Sequence, residues 1–252
     1  MFKKIIKTGI ITIVSIVLTT LTIDATDNMG NFSDSMVGNA WSSMLGIEEG
    51  ACPVGMVLVE TDTHTFCIDQ YEVSASDGCI YPTPQSQGET QINIEQDECS
   101  IVSQKGAIPW TNVARQQATL LCAKENKRLA TAKEWYTASL GTPDSPDECS
   151  LQRVGQQTPD PTGSNDQCLS FVGTYDMVGN VWEWVSDTVR NGEYQGIEVP
   201  PSGYVHAVDE AGVAIATDPK TPDPNHNDDR FWSQKSQVTG IFRGGFWGSD
   251  AD

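Results

Sequence analysis

GTYDMVGNVWEWVSD, residues 173–187, sets a Gly-Asn pair directly before Trp-Glu-Trp and spaces carboxylates at Asp176, Glu183 and Asp187. A surface turn has no need of two tryptophans, and a plain core strand has no need of Glu183 between them. Gly179 relaxes the backbone at the bend. The alternating Trp182 and Trp184 are expected to bury their rings and anchor the turn to a core. What the carboxylates do there depends on what surrounds them.

Upstream, residues 142–170 are irregular and carry Cys149 and Cys168, which read as a pair. Before them, PWTNVARQQATLLCAKENKRLATAKEWYTASLG (109–141) holds the clearest helical signals in the chain. Val113, Leu120, Leu121 and Cys122 predict one broad apolar face after a Thr111 or Asn112 cap. Thr131 with Glu134 three residues on predicts a capping box for a second helix ending at Gly141, with Trp135 and Ala138 on its inner side. Residues 74–108 read as loop, with Pro82, Pro84, Gly88 and many glutamines, stapled by Cys79 and Cys99. MVLVE and TFCIDQYEV predict a hairpin around Thr61–His64. Cys52 and Cys67 lie near its base, and a bridge of that span stabilises by about 3 kcal/mol through lost chain entropy.

Downstream, residues 190–238 are loop-rich, with strand-like runs at 203–208 and 213–216 that suit a hairpin on the rim of the domain. IFRGGFWGSD follows near the end. No internal repeat is visible. Few short strands, centrally clustered helices and long loops predict an α+β domain that relies on covalent or ionic staples.

The 252 residues suffice for a sizeable core. Acidic residues outnumber basic ones by 34 to 15, a net charge of −19. Such a field repels phosphate backbones and anionic lipid, which argues against nucleic-acid binding. Solubility accounts for the acidity, and it also leaves carboxylates for a hard cation.

Residues 1–25 have the layout of a secretory signal: Lys3, Lys4 and Lys7, an apolar run from Gly9 to Leu18, and a cleavage site after Ala25. The alternative is an uncleaved anchor. The run is short and threonine-diluted against the roughly 20 apolar residues a span requires, so cleavage is expected. It would leave 12 basic and 33 acidic residues, a net of −21. Residues 26–50 read as a linker or N-terminal arm, and residues 51–252 as the domain. Export suits the seven cysteines, none of them in a CxxC pair. Three pairs leave one thiol over.

Three segments in order, CIDQYEVS, NKRLATAKEWYTAS and YDMVGNVWEW, closed by FRGGFW, resemble the formylglycine-generating enzyme or sulfatase-modifying factor domain family. The resemblance covers residues 51–252. It implies a C-type-lectin-like fold with little regular secondary structure. It also implies a calcium ion at the turn, held by side chains of Asp176 and Glu183 and by the carbonyls of Gly179 and Val181. Calcium takes about six to eight oxygens, peptide carbonyls among them. The alternative is that Glu183 pairs with an arginine, such as Arg243 of the RGG stretch, and no metal binds.

By the same resemblance, the oxidases of the family bind copper through two cysteines, the first of them five residues after the first Gly of the RGG stretch. That position is Ser249, and the second would be residue 254. A hydroxyl cannot replace thiolate as a soft ligand for Cu(I), so copper is not expected and no catalytic residue is assigned. The family chain continues past RGG to a final strand whose cysteine pairs with one on the first long helix. Cys122 occupies that helix position, so truncation is expected, with Cys122 unpaired. A buried free cysteine is the alternative.

A non-haem iron site is not expected with His64, His206 and His226 scattered. The oxygen-rich loop DPNHNDD (223–229) reads as solvated rather than cation-bound, and no GxSxG elbow appears. The expected protein is secreted, periplasmic or cell-surface and non-catalytic, a calcium-stabilised module for a protein, peptide or glycan. The alternative classes are an oxidoreductase acting on a peptide cysteine or small thiol, and a bystander domain whose 26–50 arm mediates assembly.

Overall fold

The computed structural model describes residues 52–249, apart from Asp62, Val154 and Lys235. The expected signal at 1–25 and the arm at 26–50 lie outside the described residues.

Strands β1 (Met56–Glu60) and β2 (Thr65–Asp69) form the expected antiparallel hairpin, with Val59 opposite Phe66. Alternation sets its faces: Val59 is fully buried, whereas Leu58 and Glu60 face out. At the turn, Thr61 Oγ1 accepts from the amides of Thr63 and His64. Cys52 and Cys67 are bonded at its base, with Cα atoms 5.6 Å apart.

The region 74–108 departs from the loop expectation. Short strands β3 (Ser74–Ala75) and β4 (Ile101–Val102) pair across the Cys79–Cys99 bridge, and helix α1 spans Gln87–Ile94. Ser86 caps α1 by accepting from the Glu89 amide. Its inward face is polar. Thr90 Oγ1 accepts from the Trp110 indole, and the Asn93 side chain binds both backbone groups of Tyr81.

Helix α2 (Arg115–Lys124) is not capped by Thr111 or Asn112. Asn112 is left-handed at φ 56° and its side-chain NH₂ donates to Pro84 O, so it turns the chain before the helix begins. The Gln117 side chain instead accepts from the Ala114 amide. Of the expected apolar face, Leu121 is buried and Cys122 partly so, but Leu120 is 50 % exposed. Helix α3 (Ala132–Ser139) has the capping box expected of Thr131 and Glu134, with Trp135 and Ala138 buried, and it stops just short of Gly141.

The main sheet has the order β11-β5-β6-β7, all antiparallel. Its strands are β5 (Glu183–Arg190), β6 (Glu193–Tyr194), β7 (Ile197–Glu198) and β11 (Val238–Arg243). A second sheet joins β8 (Gly203–Val208), β9 (Ala214–Asp218) and β10 (Arg230–Phe231) in the order β10-β8-β9. The larger core packs Ala132, Trp135 and Ala138 of α3 against Val185 and Val189 of β5, with Val59, Met177 and Tyr194. A smaller core surrounds Ile101, Trp110, Leu121 and the Cys79–Cys99 bridge. Cys149 is bonded to Cys168 beside Leu151. Among the described residues no helix is long and apolar enough to cross a membrane.

Candidate functional site

The turn into β5 is where the distant motifs meet. Gly179 sits at φ 81°, and a Cβ there would lie 2.4 Å from Ser150 O, so only glycine fits. Its amide donates to Gly244 O at 2.6 Å, and the Asn180 amide donates to Ser150 O at 2.9 Å. Arg243 lies opposite Glu183 in the β5–β11 register, which brings the RGG stretch alongside the Trp-Glu-Trp stretch. Gly244 is left-handed too, with Met177 O 2.9 Å from where a Cβ would be.

Asn180 is buried and fully used. Its side-chain oxygen accepts from the Asp160 amide at 2.9 Å, and its NH₂ donates to Glu72 Oε2 and to Asp160 O. Glu72 Oε1 accepts from the Val181 amide at 3.0 Å. Glu72, from the CIDQYEVS segment, is thus the carboxylate that ties this turn, a role the sequence reading missed. Its sequence signal is an acid between Tyr71 and Val73 in an otherwise strand-like run.

Of the two side chains expected to hold a cation, Asp176 is buried and Glu183 half-buried. Asp176 is buried and left-handed at φ 59°, and its Oδ2 accepts from the Gly163 amide at 2.6 Å. Glu183 Oε2 accepts from the Trp135 indole. Burial is the largest cause pushing Asp176 up to about 6, with Asp160 adding repulsion. It likewise pushes Glu183 up to about 7, with repulsion from Asp176 and Asp69. Glu72 is raised well above the usual range by burial first, then by Asp176 and Glu183.

Arg243 is not the counter-ion of Glu183. Its guanidinium donates to the carbonyls of Ala211 and Gly212 at 2.8 Å and lies 4.8 Å from the Trp135 ring centre. Among the described residues the carbonyls of Gly179 and Val181 receive no hydrogen bond. Carboxylates raised by burial and by one another favour a counter-cation, and a hard cation here would be held by side-chain oxygens of Asp176 and Glu183 and by the carbonyls of Gly179 and Val181. Among the described residues no three Asp, Glu, His or Cys side chains converge as a metal-binding group, so such an ion would depend on backbone oxygen.

Trp184 donates its indole N–H to Val113 O and meets Phe242 edge-on at 5.3 Å. Trp182 departs from the buried expectation: it is 42 % exposed and clusters with Trp232, Phe242 and Phe246 at the surface. Gly179 holds the turn in its bend against Ser150, and Trp182, just before β5, packs on Phe242 of β11 with part of its ring left in solvent.

Ser249 closes a turn. Its Oγ accepts from the Phe246 amide at 3.0 Å, its amide donates to Phe246 O at 2.8 Å, and its carbonyl accepts from the Gln152 amide. Among the described residues the donor set does not fit a thiolate copper site. Six cysteines are in disulfides, and Cys122 packs against the smaller core, its thiol pushed up to about 11 chiefly by burial. The histidines are not brought together. His64 lies at the β1–β2 turn, 3.5 Å from Glu134. His206 faces Thr221 O and Asp223, and His226 ends a 3₁₀ turn. In the loop 223–229, the Asp223 carboxylate accepts from the Asn225 amide.

No curated protein matches the chain. The profile of the sulfatase-modifying factor enzyme 1-like domain matches residues 39–252, beginning inside the segment read as a linker or arm. The α+β architecture with three disulfides agrees with the C-type-lectin-like fold of that family. With its Gly-Asn turn and its RGG stretch joined at one backbone junction, this chain belongs to the sulfatase-modifying factor family.

Proposed function

We propose that this family member is exported, disulfide-stapled and non-catalytic, and that it serves as a calcium-stabilised binding or structural module for a protein, peptide or glycan. The observation that carries the reading is Ser249. Where the copper-dependent oxidases have their first cysteine, this chain has a hydroxyl already engaged in closing the Phe246–Ser249 turn. A neutral alcohol is a hard, weak ligand, and Cu(I) selects thiolate. The excess carboxylate and spare carbonyl oxygen around Glu183 support calcium. The lysine-rich start and Ala25 support export.

The deciding assay loads the purified protein with Cu(I) and follows oxygen consumption over a cysteine-containing peptide. No turnover above free copper is expected, and formation of an aldehyde product would overturn the reading. Mass spectrometry of the exported protein should place its amino terminus at Thr26, and finding residues 1–25 still attached would remove the cleaved signal. Calcium is tested by melting with and without the ion after chelation. Selective binding to the native state raises stability by mass action, and an unchanged melt at millimolar calcium would remove the metal.

A further inference from the structure

We draw no further inference here: the strongest candidate, the exposed aromatic cluster of Trp182, Trp232, Phe242 and Phe246 at the β5–β11 face, carries nothing because nothing in the structure shows what covers it.

Discussion

Glu134 joins helix α3 to the candidate site, and replacing it tests how the site is held. Its carboxylate takes both guanidinium nitrogens of Arg128, at 2.7 and 2.6 Å, and accepts from the Thr131 amide at 2.8 Å. The next residue, Trp135, donates its indole N–H to Glu183. Arg128 is the main cause holding the Glu134 carboxyl down from 4.5 to about 2. Taken whole, that displacement is worth about 3 kcal/mol. Arg128 is 64 % exposed, and solvent screening reduces the expected contribution to about 1 kcal/mol. A depressed carboxyl stabilises the fold above its unfolded value of 4.5, and that stability is lost as pH falls through about 2.

The substitution Glu134→Gln keeps an oxygen for the Thr131 amide and removes the charge. Urea unfolding of both proteins, with disulfides intact, should give a gap of about 1 kcal/mol at pH 7 that closes towards pH 2. The difference between the curves isolates this group, because both proteins share every other titrating residue. A gap that stays constant from pH 7 to pH 2 would refute the charge as its source and reduce Glu134 to a helix cap.

The turn carboxylates slope the other way: stability from Asp176 and Glu183 is full below 3.8 and 4.5 and is lost as pH rises through about 6 and about 7. Without calcium the melting temperature should therefore be higher at pH 5 than at pH 8, and calcium should narrow that difference by favouring the ionised forms. Equal temperatures at both pH values without calcium would contradict the burial of these groups. Gly179→Ala should lose more than the roughly 1–2 kcal/mol of a left-handed alanine, because its Cβ meets Ser150 O at 2.4 Å. Gly106→Ala, also left-handed but with nothing within 4 Å, should lose only the conformational part. Equal losses in denaturant unfolding would argue against the close approach. A thiol reagent should find one free thiol, Cys122, slowly in the native protein and promptly on unfolding, because partial burial restricts access and pushes the thiol up to about 11. Rapid reaction of the native protein would place Cys122 at the surface.

Local chemistry was legible wherever partners lie a few residues apart. The Thr131–Glu134 box needs one turn of helix, and each disulfide closes a short loop. Helix α1 has the same kind of start, Ser86 followed by Glu89, yet it shows no apolar stripe, because its buried face is Thr90 and Asn93. Those side chains are tolerated inside because Trp110 and Tyr81 satisfy them. Asn112 misled for a related reason: an Asn before a helix caps it only with extended backbone, and this one is left-handed. Trp182 misled because a large apolar side chain is not by itself evidence of burial.

What distance conceals is the polar junction itself. Glu72 reaches Asn180 across 108 residues, and Trp135 reaches Glu183 across 48. Regular strands are short, so the turn is fixed by side chains from other segments rather than by a long ladder. The three recognised segments and the RGG stretch are therefore one structure read in pieces. Glu72 comes from the first, the α3 cap and Trp135 from the second, Gly179 and Glu183 from the third, and the carbonyl at Gly244 from the last. Losing any one exposes a buried charge or an unpaired amide in the others. That interdependence lets the turn keep its shape with a serine at position 249, because no bond holding it requires sulfur from that residue.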